Sequence, residues 1–224
     1  MIKIYNLVIV IIILGSISCV SNNNRSSTLS NSLLGILYDN DNNPLNNIDL
    51  EFINSELETV TTTTDIDGKF FIPELEFGKY KIIIRNKIMN QTVEIEHYSI
   101  ENILILRVKT ITDLILDLEV CLEKSDFDRS KLLISKIEEI DKDNEFFIYL
   151  KGIYHYKIDE MDQSETLLLT LEGRDYAYVY LLLADIYQYH KSTPNRAIYY
   201  LKKFLNIEQD KIIYKRLEEL ESDN

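Results

Sequence analysis

Few residues in this chain have the type and spacing to do bond chemistry. It contains three His, two Cys and no Trp in 224 residues. No Gly-rich phosphate loop, Ser nucleophile elbow or Cys–His pair is present. His155 and His190 read as packing or surface residues, and Cys121 as a small buried apolar one. Asp39, Asp41 and Asn43 have the D-x-D-x-N spacing of a calcium loop, which needs about six to eight oxygens and a later bidentate acid. Here Pro44 and Leu45 follow, and no acid comes before Asp49. Asp65 and Asp67 supply only two carboxylates. Both segments read as Asx-type turns, with calcium as the alternative. Acidic pairs such as Glu138–Glu139 and Glu218–Glu219 fall on solvated helix faces. A hydrolase built on an acidic pair would need them clustered in a cleft. The expectation is a chain without catalysis, metal or cofactor.

What remains is tyrosine and one sulfur. Eleven of the 15 Tyr lie beyond residue 110. Tyr combines contact area with a polar tip and is enriched at interfaces. Tyr149, Tyr156 and Tyr178 fall off the apolar helical stripes and are the candidate partner-binding residues. The competing reading is that helical cores here are simply rich in Tyr.

Cys19 ends a distinctive start. Lys3 is the only charge in residues 1–18, and Leu7 to Leu14 is unbroken apolar chain. A basic start, a short apolar centre and small residues make a secretory signal. It is shorter than the roughly 20 residues of a membrane span. An uncleaved anchor and an ordinary signal that happens to hold a Cys are the other readings. The stretch L-G-S-I-S-C resembles a bacterial lipobox, with Ser16 where Leu is commonest. The resemblance implies a thioether-linked diacylglycerol on Cys19, often with a further acyl chain on its amine. Two or more chains are needed for stable attachment. Residues 20–32 read as a polar tether. No Asp follows Cys19, which favours the outer membrane, on its periplasmic or surface face.

Residues 33–109 read as strands and turns. Leu33 to Tyr38 is an apolar run, and Asp39 to Asn47 a dense turn signal. Ile48, Leu50 and Phe52 alternate with acids. Thr59 to Thr64 suits a strand. Asp65 to Gly68 reads as a tight hairpin turn with Gly at positive φ. Phe70–Ile72 continues from it, Gly78–Lys79 turns again, and Tyr80–Arg85, Thr92–Glu96 and Ile103–Val108 complete about seven strands. The motifs G-I-L-Y-D from Gly35, N-P-L-N-N-I-D-L from Asn43, T-T-D-I-D-G-K-F from Thr63 and F-G-K-Y-K-I from Phe77 resemble the carboxypeptidase regulatory-like domain. That implies a seven-stranded transthyretin-like β-sandwich acting as a spacer or docking unit. The peptidase is not implied, since its zinc motif is His-x-x-Glu and no His here is followed so.

From Thr110 the period becomes helical. Apolar stripes such as Ile111–Leu114–Ile115–Leu118–Leu122 and Tyr180–Leu183–Ala184–Tyr187 mark about seven helices. Ser130, Ser164 and Ala197 recur at steps of 34 and 33 residues, as do Ile134, Leu168 and Leu201. This period resembles the tetratricopeptide repeat. The resemblance implies three stacked helix pairs in a superhelix over residues 110–224, whose first helices line a concave, peptide-binding side. Gly152 and Ala184 fit its small positions. The loop from Lys191 to Asn195 reads as one residue too long. The last helix, Lys211 to Glu221, reads as a cap with Lys215, Arg216, Glu218, Glu219 and Glu221 outward.

The formal charge is −13, and −14 without Lys3. Such a chain is not expected to bind nucleic acid, and acyl chains rather than a basic patch must hold it to lipid. The expectation is a lipid-anchored cell-envelope protein, β-sandwich then helical superhelix, that binds or scaffolds proteins through its repeats. Capture of a glycan or peptide beside an outer-membrane transporter is the alternative. A surface antigen that contacts host proteins is the third reading.

Overall fold

The computed structural model describes residues 31–98, 103–174 and 176–222. The expected signal segment, Cys19 and most of the tether lie outside these residues. The chain divides into two compact units between Asp113 and Leu114. It is a mixed β and α protein.

The first unit holds strands β1 (Leu33–Tyr38), β2 (Asp49–Ile53), β3 (Thr59–Thr63), β4 (Lys69–Ile72), β5 (Gly78–Asn86), β6 (Met89–His97) and β7 (Ile103–Arg107). They form two sheets, ordered β4-β1-β7 and β3-β2-β5-β6. β1 pairs antiparallel with β4, Leu33 opposite Ile72, and parallel with β7, Leu34 opposite Ile103. Alternation sets what each strand buries. Leu33, Leu37, Phe70, Ile72 and Leu106 from one sheet share a core with Leu50, Phe52, Tyr80, Ile82, Ile84 and Val93 from the other. Thr64 is buried, yet its hydroxyl accepts from Ile48 N at 3.0 Å and donates to Leu45 O at 2.7 Å.

Two local expectations change. Asp65–Gly68 is a corner rather than a hairpin turn. Asp65 N–H reaches Lys69 O at 2.8 Å and Gly68 takes φ 73°, but β3 then pairs with β2 and β4 with β1. And Gly78 opens β5 instead of turning, because its backbone pairs with His97 across the β5–β6 ladder.

The helices are α1 (Ile111–Glu123), whose first turn precedes the division, and, in the second unit, α2 (Phe127–Asp141), α3 (Glu145–Lys157), α4 (Met161–Leu169), α5 (Ala177–Asp185), a π-helical segment (Ile186–His190), α6 (Pro194–Leu205) and α7 (Lys211–Ser222). Asp126 and Asn144 cap α2 and α3 by accepting from Arg129 N and Phe147 N. Pro194 opens α6 where a missing N–H costs nothing. The main packing joins consecutive helices: α3 with α4, α5 with α6 and α6 with α7. Ser130, Ser164 and Ala197 are all fully buried. Ser164 Oγ donates to Gly152 O at 2.9 Å, so α3 and α4 meet closely there.

The surplus residue of the third pair is taken up inside the helix, not in the loop. The second helices α2 and α4 start 16 residues after α1 and α3, but α6 starts 17 after α5. Lys191 N–H bonds Ile186 O at 3.0 Å, a step of five residues in place of four. One widened turn therefore takes up the extra residue of this step within the helix. Arg216 also departs from expectation. It turns inward from α7, with Asp185 Oδ1 at 2.7 Å and Gln188 Oε1 at 2.6 Å, and its guanidinium lies over the Tyr189 ring at 5.1 Å.

Candidate functional site

Tyr149, Tyr156 and Tyr178 line one surface depression between α3 and α5. One end is a cavity of about 290 Å³ lined by the three Tyr with Ile153, Lys157, Leu181, Leu182 and Asp185. The other is a cavity of about 240 Å³ where Tyr149 and Tyr178 meet Phe146, Tyr176, Ala177 and Glu208. The α3 contribution follows from spacing. Phe146, Tyr149, Ile153 and Tyr156 recur at steps of three and four residues and share one helix face. At 1.5 Å per residue the stretch from Phe146 to Lys157 spans about 16 Å, room for about five residues of extended peptide.

Each of the three rings is braced by an aromatic neighbour. Phe146 stacks with Tyr149 at 6.3 Å. His190 meets Tyr156 edge-on at 5.8 Å, and Phe204 meets Tyr178 edge-on at 6.1 Å. Tyr178 is nevertheless 62% exposed, and Tyr149 and Tyr156 are half-buried. Burial pushes the phenols of Tyr149 and Tyr156 up, so both stay protonated donors at neutral pH. Asp185 is already paired with Arg216. Lys157 at one end and Glu208 at the other have no ion-pair partner among the described residues. The depression can therefore hold an apolar segment and read opposite charges at its two ends. It brings together no nucleophile and base.

A second polar cluster is a brace. The buried Tyr187 hydroxyl donates to Glu165 and accepts from Arg196 Nη1 at 2.9 Å, and Arg196 lies over the Tyr187 ring at 4.6 Å. Lys191 bonds Glu165 and, at 2.8 Å, Asp162. Burial, then the Glu165 carboxylate, holds the Tyr187 phenol far above its ordinary range. Tyr187 stacks on Tyr200 at 5.4 Å and 5°, and Tyr200 on Tyr180 at 6.3 Å and 16°. Burial, then Glu172, pushes Tyr200 up to about 12. These phenols tie α4, the π segment and α6 together and are unsuited to nucleophilic work.

The other chemistry-bearing residues are scattered. Cys121 is a free, buried thiol. His155 Nδ1 lies 2.7 Å from Glu160, and His190 Nδ1 is 4.0 Å from Asp159. His97 is buried between strand end and loop, and burial lowers its pKa. Asp39 turns both oxygens on its own turn, accepting from Asp41 N, Asn43 N and Asn43 Nδ2. Asp65 accepts from Asp67 N and Lys69 N, while Asp67 pairs with Lys69 at 3.0 Å. Among the described residues no group of three or more His, Cys, Asp or Glu could hold a metal.

Apart from Tyr149, Tyr156 and Tyr178, none of the lining residues was anticipated. The α3 set had a usable signal, the three-four-three spacing through Tyr149. Glu208 had none, because it comes from the turn after α6.

No known family and no curated protein matches the chain. Among solved structures it is similar to the major pilin subunit of Bacillus cereus, at 10% identity and TM-score 0.30, over 36% of this chain and 30% of that one. The Bacillus anthracis TIE protein is 18% identical, with TM-score 0.30, over 35% and 16%. The group B streptococcus pilus 2b backbone protein is 12% identical, with TM-score 0.28, over 36% and 40%. The chain thus spans less than half the length of each. Likeness at this level says nothing about activity. Among the described residues, no helix is long and apolar enough to cross a membrane.

Proposed function

We propose that this chain is a lipid-anchored cell-envelope protein that works by contact and not by catalysis. In this reading Cys19 carries the acyl chains, residues 33–109 form a carboxypeptidase regulatory-like, transthyretin-like spacer, and residues 110–224 form a tetratricopeptide-like superhelix. The anchoring membrane is the outer one. The partner is a protein or peptide segment seated between α3 and α5.

One observation carries the contact role: three tyrosines off the core stripes converge on one depression, each ring held by an aromatic neighbour. Rings held in place lose little freedom on binding, which favours affinity. A peptide is favoured over a glycan by the lining. Besides the phenols, its only polar side chains are Lys157, Asp185 and Glu208, and Asp185 is engaged by Arg216. A sugar needs more hydrogen-bonding groups around each ring. The charged ends suit a segment with an acid toward Lys157 and a base toward Glu208.

The test is a photo-crosslinking residue at Tyr178, or at Tyr199 as an exposed control on α6, irradiated in cells. A discrete protein adduct from position 178, absent from 199 and lost with Tyr149→Ala, is the expected result. Equal adduct patterns from both positions would remove the groove from consideration. For the anchor, Cys19→Ala should release the chain from membranes or leave its precursor unprocessed. Unchanged attachment of that variant in mature form would eliminate acylation.

A further inference from the structure

The two sheets of the first unit present opposite outer faces. On the four-stranded sheet the outward positions carry Asp49, Glu51, Lys79, Lys81, Arg85, Glu94 and Glu96, with threonines, Asn90 and the half-buried Ile53 and Ile83 between. This is the ordinary solvated face of an antiparallel sheet. On β4-β1-β7 the outward positions are Leu34, Ile36 and Tyr38, Lys69 and Phe71, and Ile103, Ile105 and Arg107. Six of these eight are apolar or aromatic, which is the pattern of an inner face. Leu34 stands opposite both Phe71 and Ile103. That row crosses all three strands and is 43%, 55% and 53% exposed. A contiguous exposed apolar row of this kind marks a contact surface.

We infer that this face rests on the lipid surface of the membrane that holds the chain. The inference rests on the acyl-anchor reading, and two further observations select lipid as the occupant. The exposed row lies at the end of β1 where residues 19–32 enter the sheet, because Leu34 is the second residue of the strand. About 14 residues of chain, at most roughly 50 Å extended, keep this row within reach of the leaflet that carries Cys19. The face also has no carboxylate among its outward strand positions in a chain of net charge −13. Its two charges are both cations. Lys69 is held by Asp67 at 3.0 Å, and Arg107 by Asn42 Oδ1 at 3.1 Å and the Tyr38 ring. Lys69 is neutralised by Asp67, and Arg107 stands beyond the row, where its guanidinium can meet a headgroup phosphate while Phe71, Leu34 and Ile103 enter the interface. The loop acids Glu74 and Glu76 follow β4, which suits a zwitterionic bilayer better than an anionic one. A second copy is disfavoured as occupant by the same net charge. Three side chains bind lipid weakly alone, and tethering supplies the effective concentration that makes the contact persistent.

The absence of Trp makes a clean probe. The chain from Cys19 onward is coupled through that sulfur to a maleimide-bearing lipid in phosphatidylcholine vesicles. Buried Cys121 stays unreactive. This supplies attachment whether or not cells acylate Cys19, so the seat is tested apart from the anchor. Phe71→Trp, and separately Ile103→Trp, should shift its emission to the blue and lose intensity when the lipid chains carry bromine. Thr61→Trp, on the outer face of the other sheet, should do neither. Emission of the two face probes that matches the Thr61 probe overturns the inference. So does a blue shift that appears without vesicles and grows with protein concentration, which would assign the face to a second copy.

Discussion

Gly152→Ala tests the close approach of α3 and α4. An added Cβ at 152 falls 3.0 Å from Leu168 Cδ2 and 3.1 Å from Cγ. Apolar carbons prefer about 3.5–4.0 Å. Either the helices must part by roughly half an ångström or more, or Leu168 must leave its rotamer. Leu168 is fully buried among Leu171, Tyr180 and Leu183, so neither adjustment is free. Overpacking of this kind costs about 1–3 kcal/mol. Replacing Gly by Ala inside a helix returns about 1 kcal/mol. The expected net loss is about 0–2 kcal/mol, read from urea midpoints by far-UV circular dichroism at constant m-value. The sharper arm is a double-mutant cycle. Leu168→Ala alone should cost about 2–5 kcal/mol. In the Gly152→Ala background it removes the clash and should cost about 1–3 kcal/mol less. If Gly152→Ala stabilises by the full propensity gain and the two changes simply add, the close contact inferred from Ser164 and Gly152 is not there.

Leu57, 82% exposed, sits at φ 65° in the β2–β3 turn. Leu57→Gly should stabilise the chain by about 0.5–1 kcal/mol, the left-handed penalty less the entropy cost of Gly; an unchanged or lower thermal midpoint would contradict this. Tyr187→Phe leaves Glu165 and Arg196 without the hydroxyl between them and should cost about 1–3 kcal/mol, with a double mutant to Glu165→Gln recovering part of it in denaturant titrations. His97 has its folded pKa depressed by burial. The unfolded chain therefore binds the extra proton first. The stability it contributes is whole above the unfolded value of about 6.5 and is lost as pH falls from there toward the folded pKa. Wild type should lose thermal stability between pH 8 and 5 more steeply than His97→Leu, and parallel slopes would refute the assignment.

The strands and helices were legible because alternation and helical stripes are local properties of the chain. Leu50 and Phe52 with acids between them, or Ile111 to Leu122, carry their burial pattern in their spacing. The corner at Asp65–Gly68 was not legible. D-x-D-G makes the same Asx turn whether the next strand returns to its neighbour or crosses to the other sheet, and only long-range pairing decides. The surplus residue near Lys191 was visible as a count, but its place was not, since a π turn has no composition of its own. Of the groove, Tyr149, Tyr156 and Tyr178 stood out by leaving the core stripes. Leu181 and Leu182 did not, because half-buried leucines look like core. The Tyr187 brace joins Glu165, Lys191 and Arg196 across three elements, and no single window of sequence contains it.

The first and last strands of the β unit lie side by side and run the same way. If a pull acts between residue 32, where the chain enters β1, and residue 108, where it leaves β7, the two strands are drawn lengthwise past each other. The register from Leu34–Ile103 to Tyr38–Arg107 is then loaded in shear, and its hydrogen bonds must fail together instead of unzipping one at a time. Drag on the helical unit would thus meet the β unit along its mechanically strongest axis.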